Sequence, residues 1–203
     1  MTPSVHFRER GVVEYNRAWR EMRAFTEQRD ARTGDEIWLL QHPPVYTQGS
    51  GCRSLPRSSQ TIPVVHSDRG GQMTYHGPGQ LIAYVLVDLK RRRLGPRSLV
   101  NQLEQAVIGL LEGYGIRGDR KRGAPGVYVD GAKVAALGLR IHNGGSYHGL
   151  SLNVAMDLTP YAAIDPCGHK GLAVTQLRDL GVSDRLDAVQ GRLQAALEQM
   201  LGG

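Results

Sequence analysis

The chain has 203 residues, with 25 Lys and Arg against 19 Asp and Glu (a formal net charge of +6) and two cysteines. Apolar residues make up 40% and charged residues 22%, which excludes a disordered chain and, with so few cysteines, a disulfide scaffold. No apolar run approaches the roughly 18 residues of a membrane helix, and the first ten residues hold no signal-type stretch, so the expectation is one domain over 1–203 in a reducing, cytoplasmic setting.

In chain order, Val12, Tyr15, Trp19 and Met22 recur at helical spacing and predict a first helix. Residues 36–40 (EIWLL) read as a buried strand, broken by His42-Pro43-Pro44 and resumed over 45–48. Residues 63–66 are another candidate strand. Residues 81–89 (LIAYVLVDL) form the strongest strand signal, apolar throughout and therefore central. Ser98 is placed as a helix cap ahead of the stripe Leu99, Leu103, Val107, Leu110 and Tyr114, with Gly115 as its stop. Strands follow over 126–129, 132–141 and 147–154, the last two joined by an Asn143-Gly144-Gly145 hairpin turn. Leu186, Val189, Leu193 and Leu197 mark a last helix, capped by Ser183 or Asp184. Strands are consecutive more often than they alternate with helices, which favours an α+β fold, a mixed sheet flanked by helices.

The basic balance favours an acidic partner. Its densest cluster is Lys90-Arg91-Arg92-Arg93, read either as a solvated loop or as a dock for nucleic acid or an acidic protein. No aromatic residue interleaves with it, so single-strand stacking gets little support.

Three segments carry chemistry. Residues 68–80 (DRGGQMTYHGPGQ) hold four glycines, an arginine and a histidine between two strands. Glycines let backbone approach a ligand, and Arg69 can hold a carboxylate or phosphate or pair with an acid. The spacing matches neither a Walker A loop nor GxGxxG. Residues 123–141 (GAPGVYVDGAKVAALGLRI) place Lys133 in a small-residue strand. Such a lysine usually points to water; turned inward, it becomes reactive or needs a partner. In Asp165-Pro166-Cys167-Gly168 a cysteine lies in a loop, where a nearby cation, Lys133 or His148, would favour its thiolate. Cys52 is read as incidental. No CxxC, HExxH or close histidine pair predicts a metal, and none is expected.

Taken together, His42-Pro43-Pro44-Val45-Tyr46-Thr47, Arg69-Gly70-Gly71, Thr74-Tyr75-His76-Gly77-Pro78-Gly79-Gln80, Ala124-Pro125-Gly126-Val127-Tyr128, Lys133, Leu137-Gly138-Leu139-Arg140-Ile141, His148-Gly149, Asn153 and Pro166-Cys167-Gly168 resemble the lipoyl(octanoyl) transferase family. The resemblance runs over 41–168. It implies the α+β catalytic domain shared with biotin and lipoate protein ligases. It also implies transfer of an octanoyl or lipoyl group from acyl carrier protein to a lysine of lipoyl domains, those of 2-oxoacid dehydrogenases and the glycine cleavage H protein, with no cofactor. By the same resemblance Cys167 carries the acyl group and Lys133 lowers its pKa. The acyl chain is held by Arg69, Gly70, Gly71, Gln72, Met73, Thr74, Tyr75 and His76, by Ala136, Leu137 and Gly138, and by Gly149, Leu150 and Ser151. Ala136 stands where the family often has serine. The chemistry needs no ATP, because thioester to cysteine is a nearly isoenergetic exchange.

Two rivals use other chemistry. An ATP-dependent lipoate or biotin ligase would need a phosphate loop and no catalytic cysteine. A cysteine thioesterase would pair Cys167 with His76 or His148 and an orienting Asn153. A nucleic-acid module rests on the charge alone.

Overall fold

The strongest apolar segment becomes the middle of the larger of two sheets. A computed structural model of the chain describes residues 4–52, 56, 61–164 and 172–202. The elements are β1 (Val5–Val12), α1 (Tyr15–Glu27), β2 (Asp35–Gln41), β3 (Val45–Gln48), β4 (Val64–His66), β5 (Met73–His76), β6 (Gln80–Leu86), α2 (Pro96–Glu112), β7 (Asp119–Arg120), β8 (Gly126–Val129), β9 (Ala132–His142), β10 (Gly145–Asn153) and α3 (Leu186–Leu201), with 3-10 turns at Thr159–Ala163 and Leu177–Leu180. The larger sheet runs β1-β2-β6-β10-β9-β8-β7 and the smaller β4-β3-β5. β1 pairs with β2 in parallel across α1, and the other pairs of the large sheet are antiparallel. The sheet is therefore mixed and the class α+β, as expected.

Side chains alternate across a strand, and β6 divides them cleanly. Leu81, Ala83 and Val85 join Ile37, Leu39, Leu150 and Leu152 in one cluster with the apolar stripes of α2 and α3. Ile82, Tyr84 and Leu86 join Trp38 and Leu40 against Ala18 and Met22 of α1. Covered on both faces, β6 has no reason to alternate with polar residues, which explains its continuous apolar run. Asn143 (φ 48°) and Gly144 (φ 82°) make the β9–β10 turn, a left-handed pair that an Asn-Gly hairpin favours. No helix among the described residues is long and apolar enough to cross a membrane.

Several elements differ from the sequence reading. Val12 belongs to the edge strand β1 and is 62% exposed, whereas the helix begins at Tyr15. α2 starts at Pro96 with Gly95 as its cap and Ser98 inside, and its terminal cap is Gly113. α3 starts after Arg185 without a side-chain cap; Asp184 instead accepts from Tyr114 Oη at 2.7 Å. Within the glycine-rich segment Met73–His76 forms strand β5, because Met73 and Tyr75 have a small cluster to enter, with Tyr46 and Tyr161.

Two of the four basic residues at 90–93 are not free surface charge, although Lys90 and Arg93 are exposed. Asp35 is fully buried and binds Arg29 Nη1 at 2.7 Å, Arg91 Nη2 at 2.6 Å and Arg92 Nε at 2.6 Å, and it accepts the Asp88 amide at 2.9 Å. Burial alone would raise the Asp35 carboxyl, but the Asp88 amide and the arginines outweigh it and hold the group below its ordinary value. Arg92 also donates to the Leu201 carbonyl at the end of α3, where a cation meets the negative end of the helix. Arg91 and Arg92 thus staple α3 and the β6–α2 connection to β2. The cluster does lie in a strand-to-helix connection, as read from the sequence, but the pairing of Arg91 and the burial of Arg92 are not legible there, since the carboxylate that recruits them lies far away in sequence.

Candidate active site

An irregularity in β9 turns Lys133 inward. Val127 pairs with Ala135 but Tyr128 pairs with Lys133, so two residues of β9 oppose one of β8 and Val134 is extra. Val134 and Ala135 both face the apolar core, and Lys133 falls on the opposite face with Ala136. Such bulges re-aim a side chain next to a site. Lys133 is 3% exposed. Its ammonium donates to Pro125 O at 3.2 Å and lies 5.1 Å from the Tyr128 ring centroid. A Cβ at Gly126 would sit 3.2 Å from Nζ and 2.6 Å from Ala135 O, so only glycine leaves room there.

Lys133 opens on a cavity of about 1080 Å³, at the upper end of small-molecule sites, which reach ~1,000 Å³. Its sheet wall is made of small residues in register. Ala136 pairs with Ser151 and Gly138 with Gly149, while Gly149 and Ser151 pair with Tyr84 and Ile82 of β6. Opposite lie Arg69, Gly70, Gly71, Gln72, Met73, Thr74 and His76. Arg69 donates through Nε to Thr47 Oγ1 at 3.0 Å and through Nη2 to Thr47 O at 2.5 Å. The guanidinium therefore fixes the glycine segment to β3. Gly70 donates to Leu139 O at 2.9 Å, and a Cβ on Gly138 would meet Gly70 O at 2.8 Å, so the segment can approach β9 only across glycines. Leu137 and Leu150 also border the cavity, although their strand positions lie on the core side.

The cavity is edged by polar groups that satisfy one another. Asp68 accepts from Trp19 Nε1 at 2.8 Å, from His148 Nε2 at 2.8 Å and from the Tyr147 hydroxyl. Burial pushes the Asp68 carboxyl up, but these donors outweigh it and bring it to about 2. His148 has φ 59°, a conformation uncommon outside glycine. Burial lowers its pKa against the opposing pull of Asp68, so it is a neutral donor at pH 7. Its Nδ1 is buried and has no partner among the described residues. His42 lies 2.6 Å from Val13 O and 2.7 Å from Tyr84 Oη, and burial takes it down to about 4. His76 is driven well below its ordinary value by burial and holds Gln80 Oε1 at 2.7 Å. Burial thus disfavours the charged form of all three histidines, His148 included.

The segment that follows the cysteine in sequence is tied to the same wall. Lys133 N donates to Ala173 O at 2.8 Å and Thr175 N to Lys133 O at 2.9 Å, a parallel bridge centred on Val174. Asn153 Nδ2 donates to Thr175 O at 2.9 Å while its Oδ1 accepts from Gln80 at 2.9 Å. Asn153 thus ties this segment to Gln80 at the start of β6. Cys167 itself lies outside the described residues.

Of the residues expected to hold the acyl chain, all but Tyr75 line the cavity. Tyr75 alternates to the far side of β5 and packs against Tyr46 and Tyr161. The sequence reading missed Tyr15, Tyr84 and Tyr161 in the lining and the anchoring role of Asp68. It also missed Arg97, Arg120, Lys121 and Arg122 at the rim. None carries a local signal, because each acquires its role through partners distant in sequence. Cys52 is buried in the small-sheet cluster. Among the described residues no group of three or more His, Cys, Asp or Glu side chains can hold a metal.

The whole chain has the fold of lipoate-protein ligase A bound with ATP (TM-score 0.78, 14% identity, 100% of this chain and 86% of that one). It also superposes on the biotin protein ligase from Aquifex aeolicus in complex with biotin and ATP (TM-score 0.61, 13% identity, 98% and 70%). In sequence it is similar to the octanoyltransferase of Aromatoleum aromaticum, 55% identical over 201 residues, covering 98% of this chain and 87% of the relative. The octanoyltransferase of Thiobacillus denitrificans is 56% identical over 200 residues, covering 98% and 92%. The family model for the lipoyl protein ligase A/B catalytic domain matches residues 14–198, and the chain belongs to that family.

Proposed function

We infer that the chain is an octanoyltransferase of protein lipoylation that moves an octanoyl group from acyl carrier protein to a lysine of lipoyl domains, with Cys167 as the acyl carrier within the enzyme. The observation that carries this reading is the buried Lys133, turned by a bulge onto a cavity wall of small residues and bridged by its own backbone to the segment that follows the cysteine loop. The relatives above 50% identity add the direction of the chemistry.

In the first step the Cys167 thiolate attacks the carbonyl carbon of the octanoyl thioester. The new C–S bond forms, the bond to the carrier sulfur breaks, and the departing thiolate takes up the proton the cysteine lost. The Lys133 ammonium favours the attacking thiolate. In the second step the neutral amine of the acceptor lysine attacks the acyl-enzyme. An amide forms, the cysteine leaves as thiolate, and Lys133 relays the amine proton to it. Arg69 holds the glycine segment, and the Ala136, Gly138, Gly149 and Ser151 wall accommodates the apolar chain. Two half-reactions on one cysteine need no ATP and no metal or organic cofactor.

The test is intact-protein mass spectrometry after mixing with octanoyl-acyl carrier protein in the absence of ATP. Wild type should gain one hydroxylamine-labile octanoyl group, Cys167→Ser should gain none, and a lipoyl domain should discharge the adduct. Acylation that appears only with free octanoate and ATP would overturn the reading in favour of a ligase. Discharge to water at the same rate with and without a lipoyl domain would overturn it in favour of a thioesterase.

A further inference from the structure

We propose that the exposed basic side chains at the outer mouth of the cavity, Arg97, Lys121 and Arg122, dock the acidic carrier that delivers the acyl group and bind the phosphodiester of its prosthetic arm. The proposal rests on the octanoyltransferase reading above and assigns the donor's share of that site.

The mouth joins the start of α2 to the loop between β7 and β8, and it is continuous with the cavity that holds Lys133. Among the described residues four cations line it, Arg97, Arg120, Lys121 and Arg122, against one acid, Glu104. Glu104 is buried, and both its oxygens are engaged, by Arg120 Nε at 3.0 Å and by the Gly126 amide at 2.9 Å. One carboxylate thus neutralises one arginine and leaves three exposed cations. Lys121 is held in place by Gly131 O at 3.0 Å and lies 4.6 Å from the Tyr128 ring centroid, with further donors left over. The side chains of Arg97 and Arg122 make no hydrogen bond or ion pair among the described residues.

Two features make this arrangement unfavourable without an anion. Like charges converge on one mouth, and Arg97 sits in the first turn of a 17-residue helix whose cap, Gly95, offers no side-chain acceptor and whose first turn holds no acid. A cation there opposes the helix dipole, and an arriving phosphate relieves both conflicts. The contrast with Arg91 and Arg92 is direct: those two are spent on Asp35, whereas Arg97, Lys121 and Arg122 have no carboxylate partner among the described residues.

The donor fits this rim better than the acceptor does. A carrier's arm brings a phosphodiester, which guanidinium groups bind in a forked geometry, and an acidic carrier surface adds long-range attraction. The acceptor lysine arrives as an ammonium, and a rim with three uncompensated cations repels it.

The test measures three reactions in wild type and in Arg97→Glu/Arg122→Glu, leaving Lys121 on its tyrosine. These are acylation by octanoyl-acyl carrier protein, acylation by octanoyl-N-acetylcysteamine (which has neither phosphate nor carrier), and discharge of the preformed acyl-enzyme onto a lipoyl domain. We expect the first to lose about tenfold or more in kcat/KM, through KM, together with most of its salt dependence. The other two should stay within about twofold. Three results would overturn the proposal: an unchanged first reaction, an equal fall in the second, or a larger fall in the third, which would make the rim the acceptor's surface. If wild type takes an octanoyl group from neither donor, the octanoyltransferase reading fails along with the rim. If wild type is acylated and the variant equally so, the rim alone fails.

Discussion

The two faces of the seven-stranded sheet are built from the same strands and do different work. Against α2 and α3 the sheet presents aliphatic side chains, and Leu81, Val85, Leu99, Leu103 and Leu152 are fully excluded from water. The other face begins the same way under α1 and then changes character. Beyond Ile82 and Tyr84 it carries three buried histidines, several tyrosines and a large cavity. The aliphatic face tolerates no loss of volume and carries few polar groups, Glu104 among them, held by Arg120 and the Gly126 amide. On the cavity face nearly every buried polar atom has a named partner, and empty space is part of the design. Stability and function are therefore separable by face.

The largest expected effect comes from cutting the aliphatic side. Leu103→Ala, at a fully buried position of α2, should cost about 2–5 kcal/mol in urea unfolding, the transfer and cavity terms of a core leucine. Acylation rate per folded molecule should not change, because Leu103 is not among the residues that line the cavity. A variant equally stable to urea, or one that is stable but slow, would dissolve the contrast between the faces.

A second effect of similar size belongs to the cavity face and is read by pH. His42 stays neutral down to about 4 because burial penalises its charged form, whereas in the unfolded chain it titrates near 6.5. Between those values the unfolded state binds the extra proton, so stability falls as the pH drops from 6.5 to 4, by about 3 kcal/mol for this group. His76 and His148 are shifted in the same direction. Below that window Asp68 continues the loss, since protonating it as the pH falls from 3.8 towards 2 breaks its hydrogen bonds to His148, Tyr147 and Trp19. Unfolding free energy measured against pH should therefore slope steeply from 6.5 to 4 in wild type and less in His42→Gln. An identical slope would mean that His42 does not titrate differently on folding.

How much of this the sequence discloses follows from the range of each interaction. The period-3.6 stripe of α2, the continuous run of β6 and the Asn143-Gly144 turn are local, and the structure keeps them. Strand β1 is obscured because a parallel edge strand needs its partner β2 to exist, and half its residues face solvent. Lys133 reads as a surface lysine by composition; only the extra residue at Val134 turns it inward, and a bulge leaves no mark in a strand pattern. Arg91 and Arg92 read as surface charge for the same reason, since Asp35 is more than fifty residues away. The family motifs point to the wall glycines and the 68–80 segment, whereas the uncompensated charge at 97 and 120–122 becomes visible only when the cavity mouth brings those residues together.

The smallest change in stability should produce the sharpest change in selectivity. Ala136 is half-buried, pairs with Ser151 on one side and Gly126 on the other, and lines the cavity. A larger side chain there grows into open volume and not into the aliphatic cluster, so Ala136→Leu should cost under about 1.5 kcal/mol in unfolding. The acyl chain must share that wall with Gly138 and Gly149, and one methylene in an apolar pocket is worth roughly 10–200-fold in discrimination. With acyl-N-acetylcysteamine donors the ratio of kcat/KM for eight carbons over four should fall by about tenfold or more in the variant, while the four-carbon donor is nearly unaffected. A uniform decline at every chain length would place the acyl path elsewhere in the cavity, and a loss of stability as large as that of Leu103→Ala would show that this face is packed as tightly as the other.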